Sequence, residues 1–125
     1  QAMVEFALIL PILLFIVCGI IDFGWLFFNQ LSLDNACREG ARYAVVCSEN
    51  EECETMTVDH INNIIAPVLD DVEITITYTD LSDKLSGDVV VHLEADMHIL
   101  TPVLGIINGS QTKTLTSEVV MKVET

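Results

Sequence analysis

The sequence predicts an α+β chain: a long N-terminal hydrophobic helix continues into a small globular domain, where a second helix and an antiparallel sheet of about three strands pack on it. Three observations predict this. Gln1 to Asn29 is an apolar run carrying only two charges, Glu5 and Asp22. A later stretch places apolar residues at helical spacing. Beyond it, three segments alternate apolar and polar residues with the two-residue period of half-buried strands. Residues 1–30 are therefore read as a transmembrane or filament-core helix. Residues 31–125 are read as the head, including the C-terminal half of the long helix.

Element by element, the first helix runs from Ala2 to about Val46, about 65 Å if unbroken at 1.5 Å per residue. Phe6 to Ile21 holds no ionisable group except a thiol, and Phe23 to Leu33 holds none. A bilayer needs about 20 such residues. The run exceeds a signal-peptide core and lacks a basic n-region and a small-residue cleavage site, which leaves a membrane anchor or a helix that packs against copies of itself. Pro11 removes the hydrogen bond to the Ala7 carbonyl, so a bend or local unwinding is expected there. Farther along, Ala36, Gly40 and Ala44 share one stripe and Cys37, Ala41 and Val45 the next, small enough for close approach of a sheet. Asp34 with Arg38 and Glu39 with Arg42 form favourable pairs on the other side.

Thr55 to Leu69 is read as the second helix, ending near Pro67. Val72 to Tyr78, Val89 to Ile99 and Leu115 to Val123 are the three strands, joined by turns and hence antiparallel. Leu100 to Ser110 is apolar yet rich in helix breakers. It either covers an edge of the core or seats against a neighbouring subunit.

The charge balance narrows the partners. Nineteen acids face five Lys plus Arg, a formal charge of -14. Nucleic-acid binding requires clustered cations that are missing, so none is expected. Enzymatic chemistry is not expected either. The chain has no phosphate-cradling glycine loop, no GxSxG and no HExxH. His92 and His98 lie on one strand face but about 20 Å apart, and His60 lies elsewhere, so no metal or other cofactor is expected. Asp70, Asp71, Asp80, Asp83 and Asp88 fit no EF-hand spacing and read as a solvated surface.

Cys47 and Cys53 enclose a short acidic loop, and outside the cytoplasm a disulfide between them is the first-ranked pairing. Cys18 then remains a buried thiol in the apolar helix. Cys37 is left either unpaired or bonded to Cys47 or Cys53. Asn108, Gly109 and Ser110 form a glycosylation sequon.

Two acids in the apolar run need partners. Glu5 can meet the α-amino group of Gln1 in another copy, or sit hydrated among headgroups. Asp22 can pair with Arg38 or Arg42 of a shifted copy, or be hydrated at the far membrane boundary, where Phe23, Trp25, Phe27 and Phe28 would also fit.

The string QAMVEFALILPILLFIVCGIIDFG resembles the mature N-terminus of the TadE-like pilins of tight-adherence (Flp-type) systems, and LDNACREGARYAV, Leu33 to Val45, is similar to the stretch that follows the anchor in that family. The resemblance implies a glycine-ended leader removed ahead of Gln1 and storage in the cytoplasmic membrane. It then implies polymerisation into an extracellular type IV-like filament that supports adhesion. A prepilin peptidase, an inner-membrane platform and an assembly ATPase are the implied partners, besides the chain itself. The alternative is a monomeric membrane-anchored exported domain with an assembly or ligand-binding role.

Overall fold

The computed structural model describes residues 1–48, 50–65, 67–79 and 87–123. Its elements are α1 (Ala2–Val46), α2 (Cys53–Ile64), β1 (Asp70–Tyr78), β2 (Gly87–His98), α3 (Pro102–Asn108) and β3 (Thr112–Val123). The strands form one antiparallel sheet in the order β1-β2-β3. The α+β architecture expected from the sequence is the one observed.

Alternation in the strands becomes a two-sided sheet. Val89, Val91, Leu93, Ala95 and Met97 of the central strand are all buried, and the residues between them along β2 are half-buried. They join a core with Leu33, Ala36, Cys37, Ala41 and Ala44 of α1 and Leu115 and Val123 of β3. The small-residue stripe is what lets the layers meet. The Cys37 thiol donates to the Val91 carbonyl at 3.2 Å. A Cβ built on Gly40 would lie 2.5 Å from Ile61 Cδ1, so the helix backbone itself forms the wall against which α2 packs. Absence of a side chain at residue 40 is thus a packing requirement.

The Cys47–Cys53 disulfide joins the end of α1 to the start of α2, with the two Cα atoms 5.4 Å apart. Cys37 is a free buried thiol, and Cys18 is free and half-exposed rather than buried. Thr57 Oγ1 donates to the Cys53 carbonyl at 2.7 Å, and the Tyr78 hydroxyl reaches Cys53 Sγ at 3.3 Å, which ties the end of β1 to the bridge.

Four local expectations are corrected. The helix is uninterrupted through Pro11, so of the bend or local unwinding expected there the unwinding does not occur; the turns on either side stay intact around the one lost hydrogen bond. The second helix begins two residues earlier than expected, at Cys53, and ends at Ile64, because Ile65 is already extended at ψ 140° ahead of Pro67. The first strand begins at Asp70, with a bulge between Asp70 and Glu73 where Asp71 takes φ 47°, a conformation that Asp tolerates better than most residues. Finally, part of the apolar link is helical. Pro102 sits in the first turn of α3 and Gly109 closes it at φ 77°, the usual placement of each residue at a helix end. Asp80 and Asp83 of the acidic group lie outside the described residues.

Two measurements check this packing. Gly40→Val drives a branched side chain into Ile61 and should lower stability by about 1–3 kcal/mol, as overpacked cores do, with Gly40→Ala less affected; thermal unfolding of the detergent-solubilised chain reads the difference. A second expectation concerns alkaline pH. Burial pushes the Cys37 thiol up from its usual 9.0, against opposing hydrogen bonding from Ser117, and burial followed by the charge of Glu54 pushes the Tyr78 hydroxyl up from 10.0. Both groups are neutral in folded and unfolded chains below those values, so their contribution is fully present there. As pH rises past them the unfolded chain ionises first, and stability is lost until the folded groups ionise too. Melting temperature should fall from about pH 9 upward, and Cys37→Ala should remove the earlier part of that fall.

Candidate functional site: the exposed helix and its joint with the head

The first half of α1 projects from the head as a bare apolar rod. Residues 1–17 are exposed, as are Ile20 and Ile21, and only Cys18 and Gly19 between them are half-covered. The segment is long and apolar enough to cross a membrane, and none of its most apolar window is buried. Glu5 stands on this rod. Its one hydrogen bond among the described residues is the Gln1 side-chain amide, 3.5 Å from Glu5 Oε1. Both residues are exposed, which leaves the carboxyl group open to another donor.

The rod meets the head at Asp22, which is only 1% exposed. The sequence offered a cation of another copy, or water, as its partner. Within this chain the structure gives it a different one. The Thr101 N–H donates to Asp22 Oδ1 at 2.8 Å, the Thr101 hydroxyl donates to Oδ2, and the Leu104 N–H reaches Oδ2 at 3.4 Å. These are the first N–H groups of α3, which have no acceptor within their own helix. Thr101, the residue at the cap position, makes no capping bond with its own side chain. Asp22 therefore caps a helix that follows it by 79 residues, with a side chain of the type that helix starts prefer.

Further contacts fasten the next turns of α1. The Trp25 indole N–H donates to the His98 carbonyl at 3.2 Å, and the Gln30 amide donates to the Thr116 carbonyl at 3.0 Å and to Asp34. Asn29 is fully buried and donates to the Trp25 carbonyl. The head thus takes hold of α1 from Asp22 onward. Sequence reading missed Thr101, Asn29 and Gln30. Thr-Pro followed seven residues later by Gly109 was the one available signal, since it marks the ends of α3.

Arg38 and Arg42 face solvent on the far half of α1. Arg42 lies 3.9 Å from Glu39, with both side chains about half or more exposed, a pair that contributes little. Arg38 has no ion-pair partner among the described residues, so the expected pair with Asp34 does not form. Along the same helix Arg38 stands about 24 Å from Asp22, so within one chain the two cannot meet. Asn108 is exposed at the end of α3, with its amide 3.5 Å from the Ser110 hydroxyl. His92 lies between Glu94 and Glu118, and His98 beside Asp70. No group of three metal-binding side chains is found among the described residues.

The cap can be tested directly. Asp22→Ala should cost about 0.5–2 kcal/mol, the usual range for a lost helix cap, and should speed hydrogen exchange at the Thr101 and Leu104 amides before it affects β2. Asp22→Asn keeps an acceptor and should lie between the two. Equal exchange in all three proteins would show that Asp22 does not cap α3.

No curated protein and no solved structure matches the chain. Residues 1–42, the segment that carries Glu5, Pro11, Asp22, Arg38 and Arg42, match the model of the family described as TadE-like protein, so this part of the chain is similar to that family.

Proposed function

We propose that the chain is a pilin-like structural subunit of a Tad-type system, held in the cytoplasmic membrane by α1 and then polymerised through α1 into an extracellular filament that supports adhesion. The TadE-like match and the apolar helix fit a Tad pilus-associated membrane protein. The observation that carries the further step is the bare rod. Leu8, Ile9, Ile12, Leu13, Leu14, Phe15 and Ile16 are each more than half exposed, although removing such a side chain from water is worth about 1.5–3 kcal/mol. The head's own core closes without them. A surface of this kind needs either lipid or sister helices, and a subunit that passes from one to the other keeps it covered throughout.

Glu5 supplies the register in this reading. Its carboxyl group, open in the isolated chain, takes the α-amino group of Gln1 from a neighbouring copy, while Pro11 gives the rod one position without a backbone donor. Arg38 and Arg42 lie on the outer surface of the head's helix, where they are free to meet acids of adjacent copies. A prepilin peptidase, an inner-membrane platform and an assembly ATPase would deliver the subunit. The role is structural and not catalytic.

The test is made in the cells that produce the chain. Sheared surface material should contain filaments that label for it, and Glu5→Ala should abolish them while membrane insertion is retained. Membrane-resident Glu5→Ala with filaments unchanged would remove Glu5 from assembly. Pili lacking this chain altogether, with the protein solitary in the bilayer, would favour the anchored monomer instead.

A further inference from the structure

The uncovered helix ends at a defined height. Ala2 to Ile21 comprises 20 residues of α1, about 30 Å of helix, which equals the hydrocarbon thickness of a bilayer. The next residue, Asp22, is the first to bond with the head, and its partners are the opening N–H groups of α3. With residues 2–21 in lipid, α3 is fixed at the level where hydrocarbon gives way to headgroups. Trp25 follows within one turn, its indole N–H on the His98 carbonyl, and Trp is the residue that favours this boundary.

The surface at that level differs from the rest of the head. Ile99 to Gly109 contains no ionisable residue, in a chain with 19 acids. Leu100, Ile106 and Ile107 are 57%, 77% and 70% exposed. Beside them a crevice of about 150 Å³ is lined by Leu26, Ile99, Leu104 and Ile107, with Lys113 also on its wall. Lys113 is one of only five cations in the sequence. Apolar side chains next to a lone cation, at the end of a membrane-length helix, match an acyl region lying under phosphate. Leu26 of α1 lines the same crevice as Leu104 and Ile107, so the patch adjoins α1 just past the membrane-length stretch.

We infer that α3 and the adjoining crevice form a membrane-seating foot: in the stored state Leu100, Ile106 and Ile107 insert into the interfacial zone of the bilayer, and Lys113 meets lipid phosphate. The inference rests on the reading of residues 2–21 as the membrane span. The occupant is the lipid surface, because the foot is joined to α1 at Asp22, directly where the membrane-length stretch ends. A second copy of the chain is the competing occupant.

The experiment uses the full chain in vesicles of phosphatidylcholine and phosphatidylglycerol, with Cys18→Ser removing the half-exposed thiol. Nitroxides are attached singly at Ile106→Cys, Ile107→Cys, Leu13→Cys on the span and Val46→Cys on the far end of α1. Power-saturation spectroscopy then compares access of oxygen, which concentrates in lipid, with access of a water-soluble nickel chelate. Labels at 106 and 107 should shift toward oxygen, as the label at 13 does, and away from the nickel-dominated value at 46. Two positions guard against a local artefact, and both side chains are exposed, so neither replacement disturbs the core. Nickel-dominated labels at 106 and 107 with an oxygen-dominated label at 13 would overturn the foot and leave the span standing. A nickel-dominated label at 13 would overturn both. Labels at 106 and 107 shielded from both reagents would assign the patch to another copy and overturn the foot.

Discussion

Close approach between the second half of α1 and the sheet is the constraint that the other contacts serve. Ala36, Cys37, Gly40, Ala41 and Ala44 leave so little volume on that stripe that β2 carbonyls come within reach of a cysteine thiol, and Ile61 of α2 rests directly on the backbone at Gly40. With fewer than a hundred residues after Asn29, the head has little apolar area to spare, and a domain of this size is marginal on its own core. The bridge between Cys47 and Cys53 adds to it where α1 hands over to α2. Tyr78, reaching the same sulfur, extends the joint to the outer strand.

One helix therefore carries two kinds of surface. Up to Ile21 it is apolar on every side except at Glu5, as suits a helix surrounded by lipid or by sister helices. From Asp22 onward it is sided, with small residues against the sheet and Arg38, Glu39 and Arg42 toward water. The change occurs at a buried acid whose acceptors are all used inside the chain. Placing a carboxyl group at the end of an apolar run would be costly without those donors, and α3 supplies them from its own unpaired N–H groups. The same contact satisfies both elements, which is why a short helix can persist at the edge of the core.

Much of this was readable in the residues. Alternation from Val89 to Ile99 is strict enough to give both the strand and its buried face, and the small-residue stripe announced a helix that meets a sheet. The spacing of Cys47 and Cys53 in a polar loop gave their pairing. What was not readable depended on distance along the chain. Nothing near Asp22 hints at Thr101, and a local reading supplies only cations or water as its partners. In the link after His98, Pro102 and Gly109 read locally as breakers, although Pro in a first turn and Gly past a last one delimit a helix. At Pro11 the local penalty is real, yet the helix continues through it without unwinding. Glu5 remains as open in the structure as in the sequence, with only the Gln1 amide of its own helix at 3.5 Å among the described residues.

The grip of the head on α1 extends from Asp22 to Ala44 with no linker between rod and domain. Over those 23 residues, about 33 Å at helical rise, the spine of the globule and the continuation of the anchor are a single stretch of backbone. Axial force on the greasy end is delivered straight into the sheet instead of being absorbed by a slack tether. A displacement of the tip along the helix axis would therefore carry the whole body like a piston, by the same distance and in the same orientation.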